Sequence, residues 1–255
     1  MEKITTTGSI IYVLWLRQLK RYARSRARVI GSLGQPLLFL VALGFGFGPV
    51  YQKAGGGNYI EFLAPGVIAM GVLFTAMFAG IEIIWDRQFG FLKEMLVAPV
   101  SRLTIVIGRT LGGATVATLQ GCIVLLLSLV IGFHITHMGS MFLGLLFMFL
   151  VAVLFTAFGT AVASMLEDMQ GFQLIMNFLV MPTFFLSGAL FPIDTAPQFL
   201  KLIAAFNPLS YGVDGLRAAF GAGGHFGIPL DLLVLSLATL FLLAVGSYLF
   251  SKIEI

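Results

Sequence analysis

The amino-acid sequence predicts an all-α integral membrane protein in which one domain, residues 1–255, crosses the membrane six times. Hydrophobic residues make up 59% of the chain and charged residues 10%, whereas soluble domains carry about 25% charged residues. A soluble fold of this composition would expose apolar patches larger than soluble monomers tolerate. The apolar stretches are continuous and lack the alternation of period two that marks lipid-facing strands, which favours helices over a β-barrel.

The stretches without charged residues predict where the spans lie. A hydrocarbon core of about 30 Å requires about 20 helical residues. The longest stretch has 57 residues between Arg109 and Glu167, and as one helix it would be about 85 Å long. It therefore predicts two spans, with a break between His134 and Ser140. The six predicted spans cover residues 29–47, 62–84, 110–133, 139–165, 172–191 and 229–250.

Prolines and glycine pairs predict local features within the spans. Pro36 and Pro182 predict kinks because proline removes a helical hydrogen bond. Glycines four residues apart allow two helices to approach closely. The pairs with this spacing are Gly44-xxx-Gly48 and Gly108-xxx-Gly112.

The distribution of basic residues predicts the orientation. Of the 15 Lys and Arg residues, twelve lie in the amino-terminal segment, in the loop between the second and third spans or near the carboxyl terminus. The opposite face has only Lys53, Lys201 and Arg217. Because cytoplasmic loops carry the excess of Lys and Arg, both termini are expected in the cytoplasm. No cleavable signal peptide is expected, since residues 1–28 lack a long apolar core.

Residues 8–28 predict an amphipathic helix that lies in the cytoplasmic interface. Apolar side chains recur at helical spacing, at Ile11, Leu14, Trp15, Leu19 and Tyr22. Basic side chains fill the remaining arc, at Arg17, Lys20, Arg21, Arg24 and Arg28. An apolar stripe beside a basic face is typical of a helix attracted to anionic membrane lipids. The alternative is a basic flank that only sets the topology.

Two further segments are predicted not to span. The cytoplasmic loop 86–99 mixes charged and apolar residues, which favours a short amphipathic helix that fits the groove of a partner protein; the alternative is a solvated loop. The external segment 192–228 contains two helical patterns, 199–206 and 211–220. Helices this short either re-enter the membrane from one side or lie on its surface.

The sequence contains no recognisable catalytic or metal-binding motif. Cys122 is the single cysteine, which excludes an intrachain disulfide. His134 and His137 are expected to have no acidic residue nearby, and two ligands do not make a stable metal site. No P-loop sequence is present, and no carboxylate is expected at mid-membrane depth to couple transport to an ion gradient. The formal charge of +4 is too small and uneven to indicate nucleic-acid binding.

Three segments resemble the permease subunit of type-2 ABC exporters. They are the start of the second span at 62–70, the loop motifs at 86–94, 99–102 and 108–109, and the carboxyl-terminal stretch 186–193 continued by 207–217, which begins Asn-Pro-Leu-Ser-Tyr-Gly. The resemblance extends over nearly the whole chain. It departs from the family loop where Phe91 replaces a threonine and Lys93 a glutamate.

The resemblance implies a half-transporter of the plasma (inner) membrane. A separate ABC ATPase, in two copies, would bind ATP and Mg²⁺, while this chain would bind no cofactor. The ATPase would contact the loop, with residues 8–28 as a second contact surface. The implied loop contacts are Asp86, Arg87, Gly90, Leu92, Lys93, Glu94, Pro99 and Arg102. A second permease chain, expected to be identical, would complete the substrate path.

Candidates for lining that path come from the second and fifth predicted spans. They are Thr75, Phe78, Asn177, Thr183, Phe184, Phe185 and Ser187. The alternative for the aromatic side chains is core packing or lipid contact.

Three functions are compatible with the sequence. The first is ATP-driven export of an amphipathic, drug-like, lipid or glycan substrate. The second is a membrane-embedded enzyme acting on lipid head groups, with Glu82, Asp86, Glu167 and Asp168 as its only candidate residues. The third is a channel or scaffold, which the lack of a ring of charged pore residues disfavours.

Overall fold

A computed structural model describes residues 2–55, 57–92, 97, 100–135 and 138–253, and within these ranges the chain forms helices and no strands. The α-helices are α1 Glu2–Arg24, α2 Arg26–Lys53, α3 Tyr59–Gln88, α4 Arg102–Ile131, α5 Met141–Met165, α6 Met169–Ile175, α7 Met181–Phe185, α8 Gln198–Phe206, α9 Pro208–Phe220 and α10 Ile228–Ser251. The all-helical prediction is confirmed for this part of the chain.

Five helices in the described ranges are long and apolar enough to cross a membrane. They are Val29–Lys53, Tyr59–Gln88, Arg102–Ile131, Met141–Met165 and Ile228–Ser251. These five match the predicted spans 29–47, 62–84, 110–133, 139–165 and 229–250, although α4 begins eight residues earlier than predicted. Ser101 explains this early start, because its hydroxyl accepts a hydrogen bond from the Thr104 N–H and caps the helix.

The predicted span 172–191 is a shorter helical run that changes geometry in the middle. Helix α6 passes into a π turn, Met176–Val180, and α7 then ends at Phe185. Pro182 lies in the first turn of α7, where its missing N–H and its ring disfavour a straight helix through this point. A π turn directly precedes α7, in whose first turn Pro182 lies, whereas α2 continues as an α-helix through Pro36. The kinks predicted at the two prolines stay predictions.

Helix α3 is the centre of the bundle and packs against α2, α4, α5 and α9. Small residues let its neighbours approach at backbone distance. A Cβ placed on Gly80 would lie 2.3 Å from the Gly159 carbonyl oxygen in α5, and a Cβ on Gly66 would lie 2.4 Å from the Ala189 carbonyl oxygen. Close backbone contact through glycine is a common way for membrane helices to associate.

Helix α1 packs lengthwise against the first half of α4. Gly108 faces Ile11 and Leu14, and Gly112 faces Trp15 and Gln18. The prediction that Gly108-xxx-Gly112 permits close helix packing is thus confirmed, with α1 as the partner. The other pair behaves differently, since Gly44 meets only the Ile60 side chain and Gly48 has no atom within 4 Å of a built Cβ.

Helices α8 and α9 form a hairpin, and α9 packs on the amino-terminal half of α5. Asn207 makes the turn between them, and its side-chain oxygen accepts a hydrogen bond from the Leu209 N–H. Going back along α9, Phe220 faces Gly144, Gly215 faces Phe147, and Gly212 faces Val151. Val151 is ten residues from the first residue of α5, which places it about 15 Å along the helix. The two predicted helical patterns, 199–206 and 211–220, correspond to α8 and α9.

Candidate functional site

Asp86, at the carboxyl-terminal end of α3, joins three helices. Its side chain is 4% exposed and accepts hydrogen bonds from Arg17 of α1, at 2.8 Å, and from Arg109 of α4. Arg109 is equally buried. Buried charges of this kind are tolerated when they are paired and hydrogen-bonded. Asp86 therefore pairs with two arginines from other helices rather than presenting its carboxylate to solvent.

A second ion pair extends this cluster one turn along α1. Arg21 lies 3.4 Å from Glu82 and also above the ring of Trp85, at 5.3 Å from its centroid. Trp85 in turn directs its indole N–H to the sulfur of Met169 in α6. Arg17 and Arg21 thus face α3, while Lys20 and Arg24, also predicted for the basic face, are exposed.

The apolar stripe of α1 faces α4. The indole N–H of Trp15 donates to the Thr115 hydroxyl at 3.0 Å, and the hydroxyl of Tyr22 donates to the Gln120 side-chain oxygen. Burial raises the pKa of Tyr22, so its hydroxyl keeps its proton. These contacts confirm the amphipathic pattern of the segment and assign its apolar stripe to protein packing.

Arg87 and Arg102, both predicted to contact an ATPase, bind the ends of other helices. Arg87 donates to the carbonyl oxygens of Leu166, at 3.1 Å, and Ser164, at 3.5 Å. Arg102 donates to the carbonyl oxygens of Ser251, at 2.5 Å, and Ile253. Carbonyl groups at helix carboxyl ends lack intrahelical partners and carry partial negative charge. The two arginines therefore connect the loop region to the ends of α5 and α10.

The remaining predicted contacts divide between buried, half-buried and undescribed positions. Leu92 is 2% exposed and packs in the core. Gly90 is half-buried with a φ of +80°, a left-handed conformation that favours glycine. Lys93, Glu94 and Pro99 lie outside the described residues. The contact role of the whole set stays a prediction.

Two aromatic residues beside this cluster are strongly exposed. Phe89 is 74% exposed and Phe91 is 55% exposed. Together with Trp85, Asp86 and the two α1 arginines they line a groove of about 310 Å³. We call the surface formed by Phe89 and Phe91 the aromatic tip. The sequence indicated an amphipathic loop with apolar residues among charged ones. Phe89 and Phe91 are two of these apolar residues, but they were not among the predicted ATPase contacts.

The candidates for the substrate path fall into two groups. Phe184 and Ser187 are fully buried: Phe184 packs against Phe39 and Phe74, and the Ser187 hydroxyl donates to the Phe184 carbonyl. These two belong to the core, as the alternative interpretation for aromatics allowed. The others reach a surface or cavity in this conformation; they are Thr75, Phe78, Asn177, Thr183 and Phe185.

The outer side of the bundle holds an arginine that was not predicted as a site residue. Arg217 of α9 is 6% exposed, donates to the carbonyl oxygens of Gly188 and Ala189, and stacks on Phe62 at 3.9 Å. It joins α9 to α3 and to the segment that follows α7. In the sequence, Arg217 was a basic residue inside the helical pattern 211–220 and the last residue of the carboxyl-terminal stretch that resembles the family.

The histidines do not form a metal site in the described part of the chain, where no group of three or more His, Cys, Asp or Glu residues could hold an ion. The expectation that His134 has no acidic neighbour is wrong, because its Nδ1 lies 3.9 Å from Glu61 Oε1. The first turn of α3 and the end of α4 meet at the same outer edge. His137 lies outside the described residues.

The candidate residues for a lipid-modifying enzyme are dispersed into structural roles. Glu82 and Asp86 are held in ion pairs with arginines. Asp168 caps α6 by accepting a hydrogen bond from the Gly171 N–H at 2.7 Å. Glu167 is exposed beside it. These contacts do not bring an acid and a base together in one pocket.

Comparison with known proteins agrees with this architecture. The family described as ABC-2 type transporter matches residues 10–220. The chain is 31% identical over 222 residues to transport permease ycf38 of Porphyra purpurea, covering 85% of this chain and 74% of the relative. It is 29% identical over 207 residues to Nodulation protein J of Rhizobium leguminosarum bv. viciae, covering 80% and 79%. A ycf38 protein from Cyanophora paradoxa is 28% identical over 81% of this chain and 72% of its own length. The chain therefore belongs to the ABC-2 type transporter family and is a multi-pass transport permease.

Proposed function

We propose that this permease is the transmembrane subunit of an ATP-driven exporter that moves an amphipathic, drug-like, lipid or glycan molecule out of the cytoplasm. A separate ATPase, present in two copies, binds ATP and Mg²⁺ and supplies the energy. Membership in the ABC-2 family supports this assignment. The permease itself converts no substrate and binds no cofactor.

The six-span topology is part of the proposal. The run from α6 through the π turn to α7 covers 17 residues, from Met169 to Phe185, or about 25 Å, which is close to the thickness of a hydrocarbon core. With it as the fifth span, both termini lie in the cytoplasm of a plasma (inner) membrane protein. The α8–α9 hairpin then re-enters from outside, since it packs along the outer half of α5.

The ATPase docks on the cytoplasmic side at the aromatic tip and the adjoining loop 86–99. The ion pairs of Asp86 connect the base of this loop to α1 and α4, and Arg87 connects it to the end of α5. A push on the loop is thus passed to three helices through charged contacts. Exposed aromatic side chains next to arginines are typical of protein-binding surfaces.

A second copy of the permease covers the exposed face of α6, the π turn and α7. Of the 17 residues in this run only Phe172, Met176, Val180 and Phe184 are buried. The opposite face carries polar side chains, among them Gln173 hydrogen-bonded to Asn177. Polar groups are costly against lipid, which favours a protein interface or a water-lined substrate path at this face.

The observation that carries the proposal is the aromatic tip. It is an exposed apolar surface next to Asp86, whose ion pairs with Arg17 and Arg109 join α1, α3 and α4. The test is to co-express the permease with the ATPase encoded beside it and to purify the complex through a tag on the permease. Replacing Phe89 and Phe91 by serine should reduce the co-purified ATPase by at least about tenfold, because aromatic anchors dominate interface energetics. Substrate-stimulated ATP hydrolysis in liposomes should fall in parallel.

The matched control is Phe142→Ser, since Phe142 is 77% exposed at the start of α5, away from the aromatic tip. It should leave the co-purified ATPase unchanged. Equal recovery of the ATPase with both variants would show that the docking site lies elsewhere. If no ATPase binds the parent protein, or if the permease alone drives solute uphill in vesicles, the proposed function is wrong.

A further inference from the structure

The cytoplasmic half of the bundle contains a cavity of about 320 Å³ between α1, α2, α3 and α4. Most of its wall is apolar or aromatic, and Met169 of α6 closes one side. Its lining includes Gln18, Tyr22, Ser32, Thr75, Phe78, Glu82, Trp85 and Val116. The volume is at the lower end of the range of small-molecule pockets, about 300–1,000 Å³.

Two polar side chains at the cytoplasmic end of this cavity are almost completely buried. Gln18 is 6% exposed and Glu82 is 4% exposed. Within the described parts of the chain no residue hydrogen-bonds to the Gln18 side-chain amide. Arg21 lies 3.4 Å from a Glu82 carboxylate oxygen but does not line the cavity, so Glu82 is the charged side chain on this wall. The Gln18 amide is not among the fully enclosed unpaired polar atoms, so it is open to the cavity and can bind a polar head at this end.

The cavity continues toward the outer face along the α2–α3 contact. An adjoining cavity of about 330 Å³ shares Ser32, Thr75 and Phe78 with the first and extends to Met70 and Pro36. Thr75 and Phe78, predicted from the sequence as path residues, therefore lie where two cavities of one subunit meet. An elongated apolar molecule could occupy both with its head held near Gln18.

We propose that this cavity is the entry site for the transported molecule within each subunit. Its ligand is a single-chain amphipathic molecule whose head is a hydrogen-bond donor, a hydroxyl or an amine, bound near Gln18 and Glu82. An anionic head is disfavoured because the Glu82 carboxylate lines the wall. That the bound molecule is the transported one rests on the proposed function, whereas the binding site itself does not.

The two tryptophans of the chain permit a direct binding test. Trp85 lines the cavity, and Trp15 is the other tryptophan. In a Trp15→Phe background, fluorescence quenching by 11-bromoundecanol reports occupancy next to Trp85. The protein is held in phosphatidylcholine nanodiscs without the ATPase. Quenching by 11-bromoundecanol should saturate, whereas 11-bromoundecanoate should quench only in the linear manner of a probe dissolved in the bilayer.

Two variants fill the cavity and one removes its polar contact. Thr75→Phe and Ser32→Leu should each abolish the saturable component. Gln18→Leu should weaken 11-bromoundecanol binding about threefold to tenfold, the loss expected for one uncharged hydrogen bond. The control is Leu126→Phe, which adds volume at a position that is 60% exposed on α4. Size-exclusion profiles and unfolding midpoints identify any variant that does not fold.

The outcomes separate the site from the function. Saturable quenching that both filling variants retain would overturn the proposal, as would equal saturable quenching by the anionic probe. If binding follows the prediction but no ATPase associates, the site stands and the proposed function fails. If the ATPase complex is active but no quenching is saturable, the permease function stands and the entry site is wrong.

Discussion

The end of the bundle around Asp86 and the run from α6 to α7 are stabilised in opposite ways. At the first of these, Asp86 pairs with two arginines from other helices, and glycines bring α1 and α4 into close contact. The α6–α7 run instead buries one stripe of four residues, is joined to its neighbours by hydrogen bonds at Met169 and Thr183, and changes geometry at a π turn. From this difference we expect the region around Asp86 to transmit force and the α6–α7 run to change position during transport.

The largest loss of stability is expected from breaking the ion pairs of Asp86 with Arg17 and Arg109. Asp86→Ala would leave Arg17 and Arg109 without their carboxylate, and removing one partner of a buried ion pair costs about 3–5 kcal/mol. The measurement is the unfolding midpoint of the purified protein. The control is Glu167→Ala, since Glu167 is an exposed acid, and a surface substitution of this kind changes stability by about 0.5 kcal/mol or less. Equal midpoints for the two variants would mean that these ion pairs do not stabilise the fold.

A smaller loss is expected from the backbone contact between α3 and α5. In Gly80→Ala the new Cβ would lie 2.3 Å from the Gly159 carbonyl oxygen, so the helices must separate, at a cost of about 1–3 kcal/mol. The matched control is Gly46→Ala, where no atom lies within 4 Å of the built Cβ. That change should leave stability unchanged or raise it by up to about 1 kcal/mol through helix propensity. Similar unfolding midpoints for both variants would contradict the packing argument.

The proposed role of the α6–α7 run predicts that it contacts a second subunit, which cross-linking can detect directly. Phe178, in the π turn, is 79% exposed, and the proposed second subunit would cover it. In a background with Cys122→Ala, Phe178→Cys should form disulfide-linked dimers in membranes under oxidising conditions. Val130→Cys serves as the control because Val130 is 85% exposed on α4, away from the proposed interface. Equal dimer yields at the two positions would place the subunit contact elsewhere.

Charge and hydropathy were sufficient to predict most of the helices but not their partners. The uncharged stretches predicted six spans, and five of them are long helices in the described ranges, because exclusion of charge from the bilayer core acts locally along the chain. The ion-pair partner of Arg17 could not be predicted, since Asp86 is 69 positions away in the sequence. Likewise, the Gly108-xxx-Gly112 spacing indicated a close contact but could not indicate that α1 forms it.

The sequence gives the type of each candidate site residue but not the direction in which its side chain points. Asp86, Arg87 and Arg102 were implied as partner contacts by the resemblance of the loop to the family, yet each is engaged with another helix. Phe89 and Phe91 project outward instead. Gln18 gave no sequence signal, because an isolated glutamine becomes informative only when its amide is seen to line a cavity.

A substitution at the π turn is expected to have the smallest effect on stability and yet to reduce activity. Pro182 is exposed and lies in the first turn of α7, where the Met181 N–H donates to the Met176 carbonyl five residues back. Pro182→Ala restores an N–H and removes the ring, so the run can become a continuous α-helix. The unfolding free energy should change by about 1 kcal/mol or less, since proline is tolerated in a first turn.

Straightening the run should nevertheless rotate α7 relative to α6. Phe184 could then no longer pack on the same side as Phe172 and Met176, and the face offered to the second subunit would change. Substrate-stimulated ATP hydrolysis in liposomes with the partner ATPase should therefore fall, while basal hydrolysis persists. Pro49→Ala is the control, because α2 continues through Pro49 as an α-helix. If Pro182→Ala keeps full substrate stimulation, or destabilises the fold as much as Gly80→Ala does, the π turn is a packing feature and not the moving element.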